Sequence, residues 1–142
     1  MFALLDVKSS YSFLDGVMSV QDIVKTAHSF NYAALAINDL DNLHNLMELK
    51  MYAEKYNIKP IYSLRVELTE PDPITYLLYA KDNQAYLDLL EYSSLLNSDD
   101  YENSFNELAK FSQNAVVIIY GEGGIIESEQ VNTKAYLELY QA

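Results

Sequence analysis

Ala33-Ala34-Leu35-Ala36-Ile37 is an unbroken apolar run, and it is followed across residues 42 to 57 by Leu43, Leu46, Met47, Leu49, Tyr52, Ala53 and Tyr56 at helical spacing. The first pattern suits a strand buried on both faces, the second one side of a helix. Ile58-Lys59-Pro60 then leads into a further strand through Val66. The same alternation extends upstream. Residues 2 to 8 read as a buried first strand, and a polar turn ends at Asp15-Gly16. Ser19-Val20-Gln21-Asp22 is a capping box for a helix to about residue 30, with Val20, Ile23, Val24 and Ala27 on one face.

Downstream, Glu70-Pro71-Asp72-Pro73 is a turn short enough to make Ile74 to Ala80 antiparallel to the preceding strand. Asp82 caps a helix over about 83 to 97, Asn97-Ser98-Asp99-Asp100 is a polar loop, and Ser104-Phe105-Asn106-Glu107 opens a short helix to about residue 112. Ala115 to Tyr120 reads as a strand, Gly121-Glu122-Gly123-Gly124 as a loop, and residues 131 to 141 as a last helix. The order β-α-β-α-β-β-α-α-β-α specifies an α/β layer or part of a barrel. No internal repeat or low-complexity linker divides it, so residues 1 to 142 are expected to form a single domain.

Sheets of this kind usually carry their chemistry at the carboxyl ends of parallel strands. That rule selects Asp6 to Gly16, Asn38 to Asn42, the neighbourhood of Arg65, and the loop beginning at Gly121.

Composition narrows the choices. Nine basic against twenty-one acidic residues give a formal charge of −12, and Arg65 is the sole arginine. A surface that tracks phosphates needs clustered Lys and Arg to release counterions, so direct nucleic-acid binding is disfavoured. The absence of cysteine excludes disulfides and thiolate metal sites. Neither a membrane span nor a signal peptide is expected, and a cytoplasmic protein fits. The thirteen tyrosines sit largely beside Leu and Ile at regular spacing, as Tyr86 does with Leu87, Leu89 and Leu90, which favours packing over base stacking.

Other features read plainly. His28 and His44 fall on expected helices without partners at metal-ligand spacing. The glycine loop lacks the Gly-Lys-Ser/Thr ending of a phosphate-binding loop. Asp99-Asp100-Tyr101-Glu102 is a solvated acidic run that could also meet a basic partner. No nucleophile of the Ser-His-Asp or Cys-His kind is visible.

Several ordered motifs carry a resemblance. Ser9-Ser10-Tyr11-Ser12-Phe13-Leu14-Asp15-Gly16 matches Ser-x-Tyr-Ser-x-x-Asp-Gly, and Ala34-Leu35-Ala36-Ile37-Asn38-Asp39 with Asn42-Leu43 follows Ala-Leu-Ala-hydrophobic-Thr-Asp-x-x-Asn-Leu. Asn57-Ile58-Lys59-Pro60-Ile61 follows Gly-Ile-Lys-Pro-Ile, while Ala80-Lys81, Tyr86 and Ser93-Ser94 keep register. These are motifs of the PHP domain of C-family bacterial replicative DNA polymerases, the polymerase III alpha subunits, which the chain resembles over most of its length. The resemblance implies a partial PHP-type (β/α) barrel, about the first half of a seven-stranded barrel, with a mixed sheet flanked by helices. It also implies a fragment of a much longer polymerase.

In metal-dependent PHP proteins, His, Asp and Glu at the strand ends hold divalent metals that activate water against a phosphodiester. Against that pattern the family's His-x-His falls at Asp6-Val7-Lys8, a second-strand His at Leu40, an acidic ligand at Arg65 and another His at Thr75. Asp15 keeps a ligand type, and Asp39 is retained in a supporting part. The resemblance therefore implies a module with no catalytic residues and no metal, in which Lys8 and Arg65 pair with Asp6, Asp15 and Asp39 in an ion-pair network that occupies the former metal site. Its implied partners are the polymerase core of the same chain, with a proofreading exonuclease or other replisome proteins as further candidates. The implied Mg belongs to the polymerase part. Three alternatives stay open: a weak Mg or Mn site on Asp6, Asp15 and Asp39; a working metal-dependent phosphoesterase or 3'-5' exonuclease; and a free-standing acidic binding protein.

Overall fold

The computed structural model describes residues 2–68 and 74–119. In chain order they form β1 (Phe2–Leu4), α1 (Val20–Ser29), β2 (Tyr32–Ala36), α2 (Leu46–Lys55), β3 (Lys59–Ile61), β4 (Ser63–Leu68), β5 (Ile74–Ala80), α3 (Asn83–Leu96), α4 (Phe105–Phe111) and β6 (Ala115–Ile119). The turn over 70 to 73, the Gly121–Gly124 loop and the expected helix over 131 to 141 lie outside the described residues.

Helix starts follow local chemistry. The Ser19 hydroxyl accepts from the Asp22 N–H at 3.2 Å and donates to the Asp22 carboxylate at 2.7 Å, which caps α1. Asp82 accepts from the Ala85 N–H at 2.9 Å at the head of α3, and Ser104 accepts from the Glu107 N–H at 3.4 Å at the head of α4. Asn31 and Asn57, just past α1 and α2, take φ of 57° and 54°, the left-handed stop that asparagine tolerates. Helix α2 starts later than its periodicity suggested. The Asn42 amide donates to the Leu40 carbonyl at 2.9 Å and its Oδ1 accepts from the His44 N–H at 3.2 Å, a local arrangement that competes with the first helical turn.

Two other expectations are corrected. The first strand is a short, exposed one with Phe2 77% exposed, because among the described residues it pairs only with β2. Pairing nevertheless continues past its end, where the Asn38 N–H donates to the Val7 carbonyl at 2.8 Å. The third strand is divided at Tyr62. Its first part, β3, runs parallel to β2, and its second part, β4, pairs antiparallel with β5.

The result is a parallel sheet β1-β2-β3 and an antiparallel sheet β4-β5-β6. A parallel bridge between Leu40 and Arg65 joins them, so the α/β architecture is mixed and partly barrel-like. Period-two alternation sorts the side chains. Leu64, Val66 and Leu68 with Ile74, Tyr76 and Leu78 pack under α3 and α4, where the Tyr92 and Phe111 rings stack at 4.8 Å. Leu35 and Ile37 pack under α1 and α2 with Val20, Ile23, Val24 and Leu49. Fully burying side chains of this size stabilises the fold by roughly 1.5–3 kcal/mol each. The opposite face brings Ala36, Leu77 and Tyr79 together. Register then puts Ser63, Arg65 and Glu67 on that same face, which carries Arg65 toward the ends of β1 and β2.

Candidate functional site

Three segments meet where β1 and β2 end: residues 5–16, residues 38–45 and Arg65. The Arg65 guanidinium donates to Asp6 Oδ1 at 3.0 Å and Oδ2 at 3.3 Å. Its side chain is 8% exposed against 31% for Asp6, so the pair is largely shielded from solvent. The Asn38 amide adds a hydrogen bond to Asp6 Oδ1 at 3.0 Å and another to the Leu5 carbonyl at 2.7 Å. Tyr79 reaches across from β5 and donates to the same carbonyl at 2.9 Å, and burial pushes its phenol above the ordinary value.

Lys8 forms a second ion pair, with Asp15, at the mouth of the site, where the two side chains are 26% and 55% exposed. A pocket of about 360 Å³ lies here, lined by Asp6, Val7, Lys8, Asp15, Val17 and Met18, with Gly16 in its wall. Only glycine fits at 16, since a Cβ there would stand 1.8 Å from the Ser9 carbonyl oxygen.

Asp39 is completely buried. Its Oδ1 accepts from the Ser9 N–H at 2.8 Å and the Ser12 hydroxyl at 2.6 Å, and its Oδ2 from the Ser9 hydroxyl at 2.6 Å and the Asn45 amide at 2.7 Å. All four donors are neutral, which is where the arrangement parts from an expected network joining Asp39 to the cations. This carboxylate organises backbone, and it does so for the whole Ser9–Ser12 turn.

Leu40 is 39% exposed and contributes its backbone to the bridge with Arg65. Thr75 stands opposite Glu67 near the start of β5, on the Arg65 face, and among the described residues it enters none of the hydrogen bonds around Asp6. Next to Leu40, Asp41 takes φ of 53°, and its pKa is pushed up to about 6 by burial and, second, by the Glu67 charge. Its main-chain carbonyl accepts from Ser93 at 3.1 Å and Asn97 at 2.7 Å, tying α3 to the site.

Ser9, Ser12 and Asn38 lie within the segments that the strand-end rule selects, without a role assigned to them there, whereas Tyr79 and Asn45 lie outside those segments. Asn38 had a usable signal in its place at a strand end. Tyr79 had only its alternation with Leu77, which is equally a core pattern.

Among the described residues the donor set does not fit a PHP-type metal cluster. Both oxygens of Asp39 are engaged by protein donors, the Asp6 and Asp15 carboxylates face cations, and among the described residues no three His, Cys, Asp or Glu side chains are grouped to hold a metal.

The fold defines a class, the PHP-like proteins. Two solved structures have the same fold: a Bifidobacterium adolescentis protein assigned to the metal-dependent phosphoesterases, with TM-score 0.69 and 10% identity over 99% of this chain and 74% of its own; and a two-domain Bacteroides vulgatus protein containing a PHP-like phosphoesterase, with TM-score 0.67 and 14% identity over 98% and 40%. The PHP domain model matches residues 5–139, and the chain belongs to that family. It is 32% identical over 120 residues to the DNA polymerase III alpha subunit of Staphylococcus aureus and 28% identical over 147 residues to that of Rickettsia bellii. The matches cover 83% and 98% of this chain but span only 11% and 12% of those relatives. Among the described residues no helix is long and apolar enough to cross a membrane.

Proposed function

We propose that this chain is a non-catalytic PHP module of a bacterial replicative DNA polymerase, folding as one domain in the cytoplasm and bracing the polymerase core. The observation that carries the reading is the shielded Arg65–Asp6 pair. Both residues stand at positions where the resemblance to metal-dependent relatives places ligands, and Lys8 with Asp15 repeats the substitution at the mouth. Two cations set among the carboxylates offset their charge as metal ions would, without a Lewis acid or an activated water. The scaffold is kept and the hydrolytic chemistry is lost. Mg²⁺ would serve only the nucleotidyl transfer of the polymerase part, and the −12 charge leaves DNA contact to other parts of such a protein.

The test is turnover of a nucleotide phosphodiester by the purified protein with Mn²⁺ or Zn²⁺. The expected result is no EDTA-sensitive hydrolysis. Hydrolysis that is abolished in Asp15→Ala would instead establish the phosphoesterase reading, to which the solved PHP-like structures give the fold but not the residues.

A further inference from the structure

The loop between Ser9 and Ser19 carries the three most exposed large apolar side chains of the described chain: Phe13 at 88%, Leu14 at 92% and Val17 at 96%. Met18 and Tyr11, each 39% exposed, flank them. Loop tips are normally polar, and a cluster of this kind does nothing for the fold that bears it.

The backbone beneath the cluster is held firmly. The Ser10 N–H donates to the Met18 carbonyl at 2.9 Å and closes the neck of the loop. The Asp15 and Gly16 N–H groups both donate to the Ser12 carbonyl, at 3.1 and 2.9 Å. Below them the Ser9 and Ser12 side chains are fastened to buried Asp39, Lys8 clasps Asp15, and Gly16 lies against the Ser9 carbonyl. Leu14 is kept at φ 63°, a left-handed conformation that a leucine adopts only when its surroundings impose it. The apolar groups are therefore presented in one conformation, and little ordering entropy remains to be lost on docking.

We infer that Phe13, Leu14 and Val17 form a preformed anchor for an apolar pocket with a basic surround on the polymerase body. This rests on the module reading above. Charge decides among the possible occupants: at −12, the protein repels a second copy of itself and an anionic lipid surface, and favours a partner whose contact region is basic. Size agrees, because this chain spans only 11% to 14% of the polymerase relatives it matches, leaving most of such a protein to supply the pocket. The Lys8–Asp15 pair then has a purpose beyond neutralisation, as the clasp that fixes the anchor.

The chain has no cysteine, so a single Ser94→Cys label on α3 reports binding to the C-family polymerase body of the same organism by fluorescence anisotropy. Ser94 lies on α3, outside the loop and the ion pairs. The expected result is binding that weakens by about tenfold or more in Phe13→Ser/Leu14→Ser/Val17→Ser. Thermal unfolding should not change, because all three side chains already face water. Equal binding by the triple variant overturns the anchor and leaves the module reading standing. No binding by the unaltered chain removes both. Self-association, or partition onto phosphatidylglycerol vesicles, that disappears in the triple variant reassigns the cluster and also overturns the inference.

Discussion

Asp6 and Asp15 each face a cation, yet the surroundings of the two pairs differ enough to separate their energies. Arg65 is nearly enclosed, whereas Asp15 is more than half open to water. An exposed pair is worth about 0–1 kcal/mol, while losing one member of a shielded pair leaves the other poorly solvated. A double-mutant cycle on Asp6→Asn and Arg65→Met should therefore give a coupling of about 1–3 kcal/mol by urea unfolding, against less than about 1 kcal/mol for Asp15→Asn and Lys8→Met. Equal couplings would show that the inner pair is not the one that holds the site together. Asp41 tests a different term. Its raised pKa, about 6 against 3.8, means that the folded state disfavours its charged form. The penalty is absent below pH 3.8, grows as pH rises to about 6, and is complete above that. Asp41→Asn should then stabilise the protein at pH 7 by about 1–2 kcal/mol, discounted because part of the carboxylate meets water, and the gain should vanish near pH 3.5. Asparagine also suits the φ of 53° at this position. A gain that does not depend on pH would assign the effect to the backbone instead.

At the scale of elements, the turn between β1 and α1 depends on one atom that is missing. A Cβ at residue 16 would overlap the Ser9 carbonyl, so Gly16→Ala should cost about 1–3 kcal/mol and loosen the loop that carries Phe13, measurable as faster amide exchange at Ser10 and Asp15. Unchanged exchange would mean that the loop yields without strain. Such local rules also explain what could be read directly from the sequence. The caps at Ser19, Asp82 and Ser104, the antiparallel β4–β5 pair and the alternation through Leu64, Val66 and Leu68 depend on residues close in the chain, and each lies where its pattern put it. The break at Tyr62 was not visible, because nothing in Lys59 to Val66 announces that one half will pair with β2 and the other with β5. Nor was the arrangement of Asp39, whose partners come from residues 9, 12 and 45. A carboxylate beside two expected cations invites an ion pair, but the turn delivered neutral donors closer at hand. Tyr79 was illegible for the same reason, since its hydroxyl is a site group only once β5 lies across from Leu5.

For the whole molecule, the question is what two cations do in a strand-end site where the PHP resemblance implies metal ligands. If they offset the inherited carboxylates, then exchanging cation for ligand should make stability depend on metal. Lys8→His with Arg65→Glu, joined by Asp6→His, Leu40→His and Thr75→His, removes both ion pairs and crowds donor groups among Asp15 and Asp39. In EDTA this variant should unfold at a lower temperature than the parent, because the carboxylates of Asp15 and of the new side chain at position 65 have no cation beside them. Adding Zn²⁺ or Mn²⁺ should recover stability by mass action, about 2.7 kcal/mol at a hundredfold excess over Kd, while the unaltered chain should show no such rise. Differential scanning calorimetry with and without metal decides it. A variant as stable as the parent in EDTA would mean that the cations were never holding the carboxylates, and that the loop and the bridge at Leu40 keep the two sheets together by themselves. Metal-dependent stabilisation of the unaltered chain would carry the opposite message: Asp6, Asp15 and Asp39 would retain a working hard-cation site, and the lysine and arginine would be its neighbours rather than its replacement.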